Sequence, residues 1–264
     1  MVAVRMTTVF AVVGALSLAL AARGQTGSLA IRADHLVDGK GGRTDRPVVL
    51  TIRDGRIVSI EPEGAGRPPA PSRAIDLRGL TVLPGLIDTH VHLAWTLNAK
   101  DRLHTDNDGE PASQTTLAQA ANAWETLRAG FTTVQSIGSD SERDLREAIE
   151  RRGLPGPSVL TSLDPISDEK LTPEALRETV RKRKADGADV VKIFASKSIR
   201  EGGAQTLSLE QLSAACGEAK SLGLRTVVHA HSAPSMRAAA AAGCGQIEHG
   251  VFADEAALSE LARR

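Results

Sequence analysis

Two different spacings of apolar residues divide the chain near residue 80. Before it, short β-branched runs alternate with turns: Leu29-Ala30-Ile31-Arg32, then Val48 to Ile52 and Arg56 to Ile60, with Asp54-Gly55 between the last two. An Asp-Gly pair flanked by such runs predicts a hairpin, because both residues tolerate the positive φ of a tight two-residue connection. A stretch rich in Pro and Gly, Glu61 to Ser72, leads to a further short strand at Ala74 to Leu77. This β-unit has few residues of its own to bury and is expected to need partner strands.

After Leu80 the rhythm becomes strand then helix. Strands are predicted at Gly85–Leu93, Thr132–Ile137, Ser158–Ser162, Val190–Ala195, Thr226–His231 and Gln246–His249. Helices are predicted at Ala112–Ala129, Glu142–Arg151, Pro173–Ala185, Leu209–Leu222, Pro234–Ala242 and from Asp254 onward. Thr172 before Pro173 and Ser208 before Leu209 supply N-caps, while Gly130, Gly153, Gly187, Gly223 and Gly243 mark exits. Alternation of this kind implies parallel strands joined by right-handed crossovers. The period of roughly 32 residues suits an α/β barrel. The basic run Arg181-Lys182-Arg183-Lys184 lies near a helix end, where cations complement the dipole and are expected to face water.

The amino-terminal stretch follows neither rhythm. Arg5 followed by the apolar run Val9 to Leu20 reads as a signal segment over residues 1–24, with cleavage after Ala21 or at the Ala22/Gly24 option. A buried helix is the alternative, but the run is uniformly apolar rather than amphipathic. The expectation is an exported protein, periplasmic or secreted, with no stable membrane anchor after cleavage.

Composition narrows the function classes. The 264 residues carry 32 basic and 32 acidic side chains, 41% hydrophobic residues and only 2% aromatics. Zero net charge and scarce stacking residues argue against nucleic acid as a partner. A small-molecule substrate is expected, and a homo-oligomer is compatible with the sequence. Cys216 and Cys244 are the only cysteines, so a metal would be held by His, Lys and carboxylates, and whether the two cysteines pair stays open.

Five of the seven histidines fall at the carboxyl ends of predicted parallel strands: His90, His92, His229, His231 and His249. The two-residue period of a strand puts His90 and His92 on one face, and likewise His229 and His231. One such histidine would read as an ordinary core residue; five at the rim where barrel active sites form read as a site. Lys192 lies in Val190-Val191-Lys192-Ile193-Phe194, where its ammonium would be desolvated. A buried neutral amine suits Schiff-base chemistry, or capture of carbon dioxide as a carbamate that bridges two metals; the neighbouring histidines favour the carbamate.

These residues carry a resemblance. Pro84-Gly85-Leu86-Ile87-Asp88-Thr89-His90-Val91-His92, Gly187 to Ile193, Val228-His229-Ala230-His231 and Ile247-Glu248-His249-Gly250 resemble the amidohydrolase superfamily, in its imidazolonepropionase-like and prolidase-like branch. Asp38-Gly39, Asp54-Gly55-Arg56-Ile57 and Leu83-Pro84-Gly85 are similar to its N-terminal strands. The resemblance implies an incomplete TIM-like (β/α)8 barrel of about six βα units over 81–264, preceded by a small β-domain over 25–80.

It further implies a metal-dependent hydrolase of C–N bonds, with a dipeptide or cyclic amide as substrate and a divalent metal, zinc in a binuclear site, as cofactor. His90 and His92 would hold the more buried metal, carbamylated Lys192 would bridge, and His229 with His249 would hold the second. His231 is implied to be a neighbour of the site or a substrate contact. His104 is a further candidate substrate contact, although it reads as a solvent-exposed loop residue. Family members use an aspartate at the end of the eighth strand to move protons, and no candidate is visible before Arg264. The alternative is therefore a catalytically incomplete, metal-binding fragment. A metal-free Schiff-base aldolase using Lys192 is a third reading, which the histidine set disfavours.

Overall fold

The computed structural model describes residues 28–65, 73–104 and 108–263; the expected signal segment lies outside them. The chain forms two compact units with the boundary between Pro84 and Gly85.

The first unit is a five-stranded sheet of β1 (Leu29–Val37), β2 (Arg43–Thr44), β3 (Val48–Arg53), β4 (Arg56–Pro62) and β5 (Arg73–Val82), ordered β2-β1-β3-β4 with β5 parallel to β1. The hairpin forms where Asp54-Gly55 predicts it, with φ of 48° and 73° at the two turn residues. Strand β1 is the partner the hairpin needs: it pairs with β3 on one edge and β5 on the other. Ala33, Leu36, Val48 and Leu50 then pack with Ile31 and Val82 as a small core. The last strand is longer than Ala74–Leu77 because pairing to β1 resumes beyond Gly79, at His35–Thr81 and Leu36–Val82.

The second unit alternates strand and helix from end to end: β6 (Leu86–Val91), α1 (Ala112–Arg128), β7 (Phe131–Ser136), α2 (Ser141–Glu150), β8 (Ser158–Thr161), α3 (Pro173–Ala185), β9 (Val190–Phe194), α4 (Leu209–Ser221), β10 (Arg225–Ser232), α5 (Ala233–Ala241), β11 (Gln246–Phe252) and α6 (Glu255–Ala262). The strands pair in parallel in the orders β6-β7-β8 and β9-β10-β11. Ile166, just past β8, bridges to Ile193 of β9, and Asp189 N–H donates to Thr161 O at 2.8 Å. Neighbours in sequence are therefore neighbours in space, and all six strands end on the side where the histidines lie.

Local chemistry explains the boundaries. The Thr172 and Ser208 side chains accept from the backbone N–H groups of Ala175 and Gln211, and Gln211 returns the bond to Ser208. Leu176, Val180, Leu212, Ala215 and Met236 pack against Val191, Ile193 and Val228, burying one face of α3, α4 and α5 on the sheet. Cys216 and Cys244 form a disulfide that fastens α4 to the turn after α5. The basic run departs from expectation at Arg183, whose side chain is tucked in beside Asp140 at 3.8 Å, while Arg181 and Lys182 stay exposed. No helix among the described residues is long and apolar enough to cross a membrane.

Candidate metal centre

Strands β6, β9, β10 and β11 bring His90, His92, Lys192, His229, His231 and His249 to one place. The rings form a connected set: His90 lies 5.3 Å from His92 and 5.0 Å from His249 between centroids, and His249 lies 4.7 Å from His229 and 4.9 Å from His231. One nitrogen of each of His229, His231 and His249 falls within 4.8 Å of the others, close enough to share a metal ion. His231 thus sits among the candidate ligands themselves rather than only beside them.

The backbone is bent to achieve this. Successive strand residues point to opposite faces, so Glu248 and His249 should diverge. Instead His249 has φ 73° and Gly250 φ 60°, and the β10–β11 register shifts between Ala230 and Ser232. A left-handed histidine is uncommon, and strain of this kind concentrates where a side chain must be re-aimed. Glu248 consequently reaches Nδ1 of His90, while also accepting from the Gln246 side-chain amide.

Electrostatics suits neutral ligands. Burial first, then the charges of His90, Lys192 and His249, push the His92 pKa down to about 4. Burial, then His249 and His231, push His229 to about 4 as well. Burial lowers His231, and burial with His90 and Lys192 lowers His249. All are kept deprotonated at neutral pH, the form that binds metal. Lys192 is 1% exposed, and burial, only partly offset by Glu248, pushes its pKa down to about 8. Burial opposes ionisation of Glu248, but the His90 hydrogen bond and the charges of His90 and Lys192 outweigh it and hold its carboxyl below the ordinary range.

The donor set fits a metal. Nδ1 of His92 and Nδ1 of His231 are buried without a hydrogen-bond partner, a state that ordinarily costs about 1–3 kcal/mol per group. His231 belongs with His229 and His249 to a group whose nitrogens lie within 4.8 Å of one another, and imidazole suits zinc and its neighbours.

Close packing limits how the rings can turn. Trp95 stacks on His92 at 3.9 Å with an 8° interplanar angle. At the Nδ1 edge of the ring Gly138 leaves no space for a side chain, since a Cβ there would lie 2.6 Å from His92 Nδ1. Gly203, at φ +66°, similarly packs against His231, where a Cβ would lie 2.7 Å from that of the histidine.

Beneath the first three strand ends, buried Glu142 accepts from Ser136 Oγ at 2.6 Å and Thr161 Oγ1 at 2.9 Å, and from the backbone of Gly138 and Ala94. Ser136 Oγ in turn accepts from Leu93 N–H at 3.0 Å, so the turn after His92 is tied to β7 and β8. His104 is not a solvent-exposed loop residue. Its side chain is 16% exposed, with Nδ1 3.4 Å from Asp108 and 3.3 Å from Glu110, because the loop folds back on itself; these contacts do not bring it to the histidine cluster.

The sequence alone assigns no role to Glu248, although it lies in the Ile247–Gly250 motif, nor to Trp95 or Glu142. The carboxylate preceding His249 was the available signal for the first; the other two depend on tertiary packing.

Comparison with known proteins identifies the family. The model of the amidohydrolase family matches residues 81–263. An imidazolonepropionase of Stenotrophomonas maltophilia (strain R551-3) is 42% identical over 66 residues, 24% of this chain and 16% of that protein. A dihydroorotase of Syntrophus aciditrophicus (strain SB) is 39% identical over 61 residues, covering 20% of this chain and 14% of the other. Among solved structures, a Xaa-Pro dipeptidase with methionine bound in its active site superposes with a TM-score of 0.79 at 28% identity, over 89% of this chain and 64% of that one. Molinate hydrolase has the same fold, with a TM-score of 0.78 at 18% identity over 89% of this chain and 62% of its own. The chain thus spans less than two thirds of these structures and under a quarter of those curated relatives.

Proposed function

Because the chain belongs to the amidohydrolase family, we propose that it is a metal-dependent hydrolase acting on a C–N bond of a small amide, a dipeptide or a cyclic amide. The observation that carries this reading is the convergence of five histidines and buried Lys192 at the ends of β6, β9, β10 and β11. The six βα units are read as part of a (β/α)8 barrel, in which those ends form the active-site rim. Imidazolonepropionase, dihydroorotase and Xaa-Pro dipeptidase relatives support the substrate class.

In this reading His90 and His92 would hold one divalent metal, zinc being the natural candidate, and His229 and His249, with His231 beside them, would hold a second. Lys192 would join them as a carbamate: its ammonium first loses a proton to solvent, and the neutral amine then forms an N–C bond to carbon dioxide and loses a second proton, giving an anionic ligand. A metal bound by these residues would supply an activated water and polarise the scissile carbonyl. Glu248 accepts from His90 Nδ1 and so leaves Nε2 as the free nitrogen of that ring. Trp95 on its face and Gly138 at its Nδ1 edge confine His92. We further propose export from the cytoplasm, supported by the apolar run Val9 to Leu20 and by a disulfide that an oxidising compartment would preserve.

The test is hydrolysis of Xaa-Pro dipeptides and cyclic amides by zinc-loaded and chelated protein. Turnover that chelation abolishes and zinc restores is expected; turnover indifferent to chelation would overturn the metal-dependent reading.

A further inference from the structure

One large aromatic side chain is left partly uncovered beside the histidine cluster. Trp95 has its indole on His92 on one side, yet it is 54% exposed in a chain with only 2% aromatic residues. It is not loosely held. Its backbone N–H donates to His92 O at 2.9 Å, and Asn122 Nδ2 of α1 donates to Trp95 O at 3.0 Å and to Leu93 O at 3.1 Å. Its uncovered surface borders a cavity of about 450 Å³ whose lining includes His104, Glu110, Ala112, Thr115 and Ser139.

The shape and charge of that cavity select a ligand. A fixed indole offers a broad apolar face with its ordering already accomplished, which favours flat groups by offset stacking. The lining contains the Glu110 carboxylate and no lysine or arginine among the described residues. Asp108 lies close by, sharing His104 with Glu110. The two carboxylates outnumber the one imidazole between them, so an anionic substituent would meet net negative charge, whereas a neutral or cationic ring would not, and a cation over the indole gains from the ring quadrupole.

We infer that this cavity is a substrate subsite, walled by Trp95, for a flat aromatic substituent that is neutral or positively charged. It rests on the amidohydrolase reading only in taking the histidine cluster as the place where the scissile bond lies. The stack on His92 makes the subsite contiguous with that cluster, so the preferred substrate carries an aromatic or basic aromatic group next to its amide.

The experiment uses benzylamine and phenylacetate, similar in shape and opposite in charge. In a Trp124→Phe background Trp95 is the sole indole, and its fluorescence reports occupancy. Saturable quenching by benzylamine is expected, with phenylacetate at least about tenfold weaker. Followed by calorimetry, Trp95→Ala is expected to weaken benzylamine about tenfold, and Trp95→Phe to recover part of the loss. Ala112→Phe, which fills the cavity from the start of α1 while sparing Trp95, is expected to block binding and covers the case in which Trp95→Ala fails to fold. Absence of saturable benzylamine binding, equal binding of the two probes, or binding unchanged in both Trp95→Ala and Ala112→Phe would each overturn the subsite. Benzylamine binding requires no metal. Its loss with zinc uptake intact refutes the subsite alone, whereas failed zinc uptake with benzylamine binding intact refutes the hydrolase reading alone.

Discussion

Glu248 stands 158 residues beyond His90, yet its carboxylate meets the Nδ1 of that imidazole. The contact ties the last strand of the second unit to its first and fixes which ring nitrogen of His90 is free. Partners of this kind commonly set the affinity of a metal-binding histidine. Glu248→Gln is therefore expected to weaken zinc binding about 10- to 100-fold, measured by competition with a chromophoric chelator. Unchanged affinity would show that the contact only braces the fold.

Lys192 makes an opposite prediction for stability and for function. Its pKa, lowered to about 8 by burial, means that the folded protein resists charging this amine more than the unfolded chain does. In the metal-free protein the resulting cost is present below about 8 and fades as pH rises from there toward the ordinary lysine value of 10.5. Lys192→Met removes that cost, so it should unfold at the same or a higher temperature near neutral pH. The same variant should lose the bound-carbamate resonance that isotope-labelled bicarbonate gives in the wild type with metal. A labelled signal persisting in the variant would place the carbamate elsewhere.

Glu142 shows the reverse pH dependence. Burial raises its pKa above 4.5 even though Ser136, Thr161 and two backbone groups donate to it. Its contribution to stability is therefore full below 4.5 and is lost as pH rises through the elevated folded value. Glu142→Gln should abolish that dependence. It should also cost about 1–3 kcal/mol, because its amide N–H would face hydroxyl donors in a buried network. Denaturant titrations of both proteins across the acidic range provide the check.

The disulfide between Cys216 and Cys244 closes a separation of 28 residues. Cross-links of that span restrict the unfolded chain by about 3.5 kcal/mol, so Cys216→Ala with Cys244→Ala should lower stability by that order in urea unfolding. Zinc uptake should be unchanged at temperatures where the variant is folded, since neither cysteine belongs to the histidine cluster.

Much of the second unit was legible because its signals are local. Thr172 and Ser208 cap their helices through their own side chains, and His90, His92, His229 and His231 share faces by strand periodicity alone. Periodicity also explains what was missed. It assigns Glu248 and His249 to opposite faces, and only the left-handed backbone at His249 and Gly250 redirects them. The stack of Trp95 on His92 depends on a turn that Asn122 holds from a helix 27 residues away. Burial of His104 depends on Asp108 and Glu110 folding back toward it, which no spacing rule announces. The extension of β5 through Gly79 likewise follows from β1 being there to pair with it.

That His90, His92, Lys192, His229 and His249 hold catalytic metal is tested most directly by zinc content per chain after dialysis, in the wild type and in a His229→Ala, His249→Ala variant of matching unfolding temperature. Expected are about two zinc ions per wild-type chain, as in binuclear hydrolase sites, and loss of at least one in the variant. A wild-type chain retaining no more zinc than the variant would contradict the metal centre.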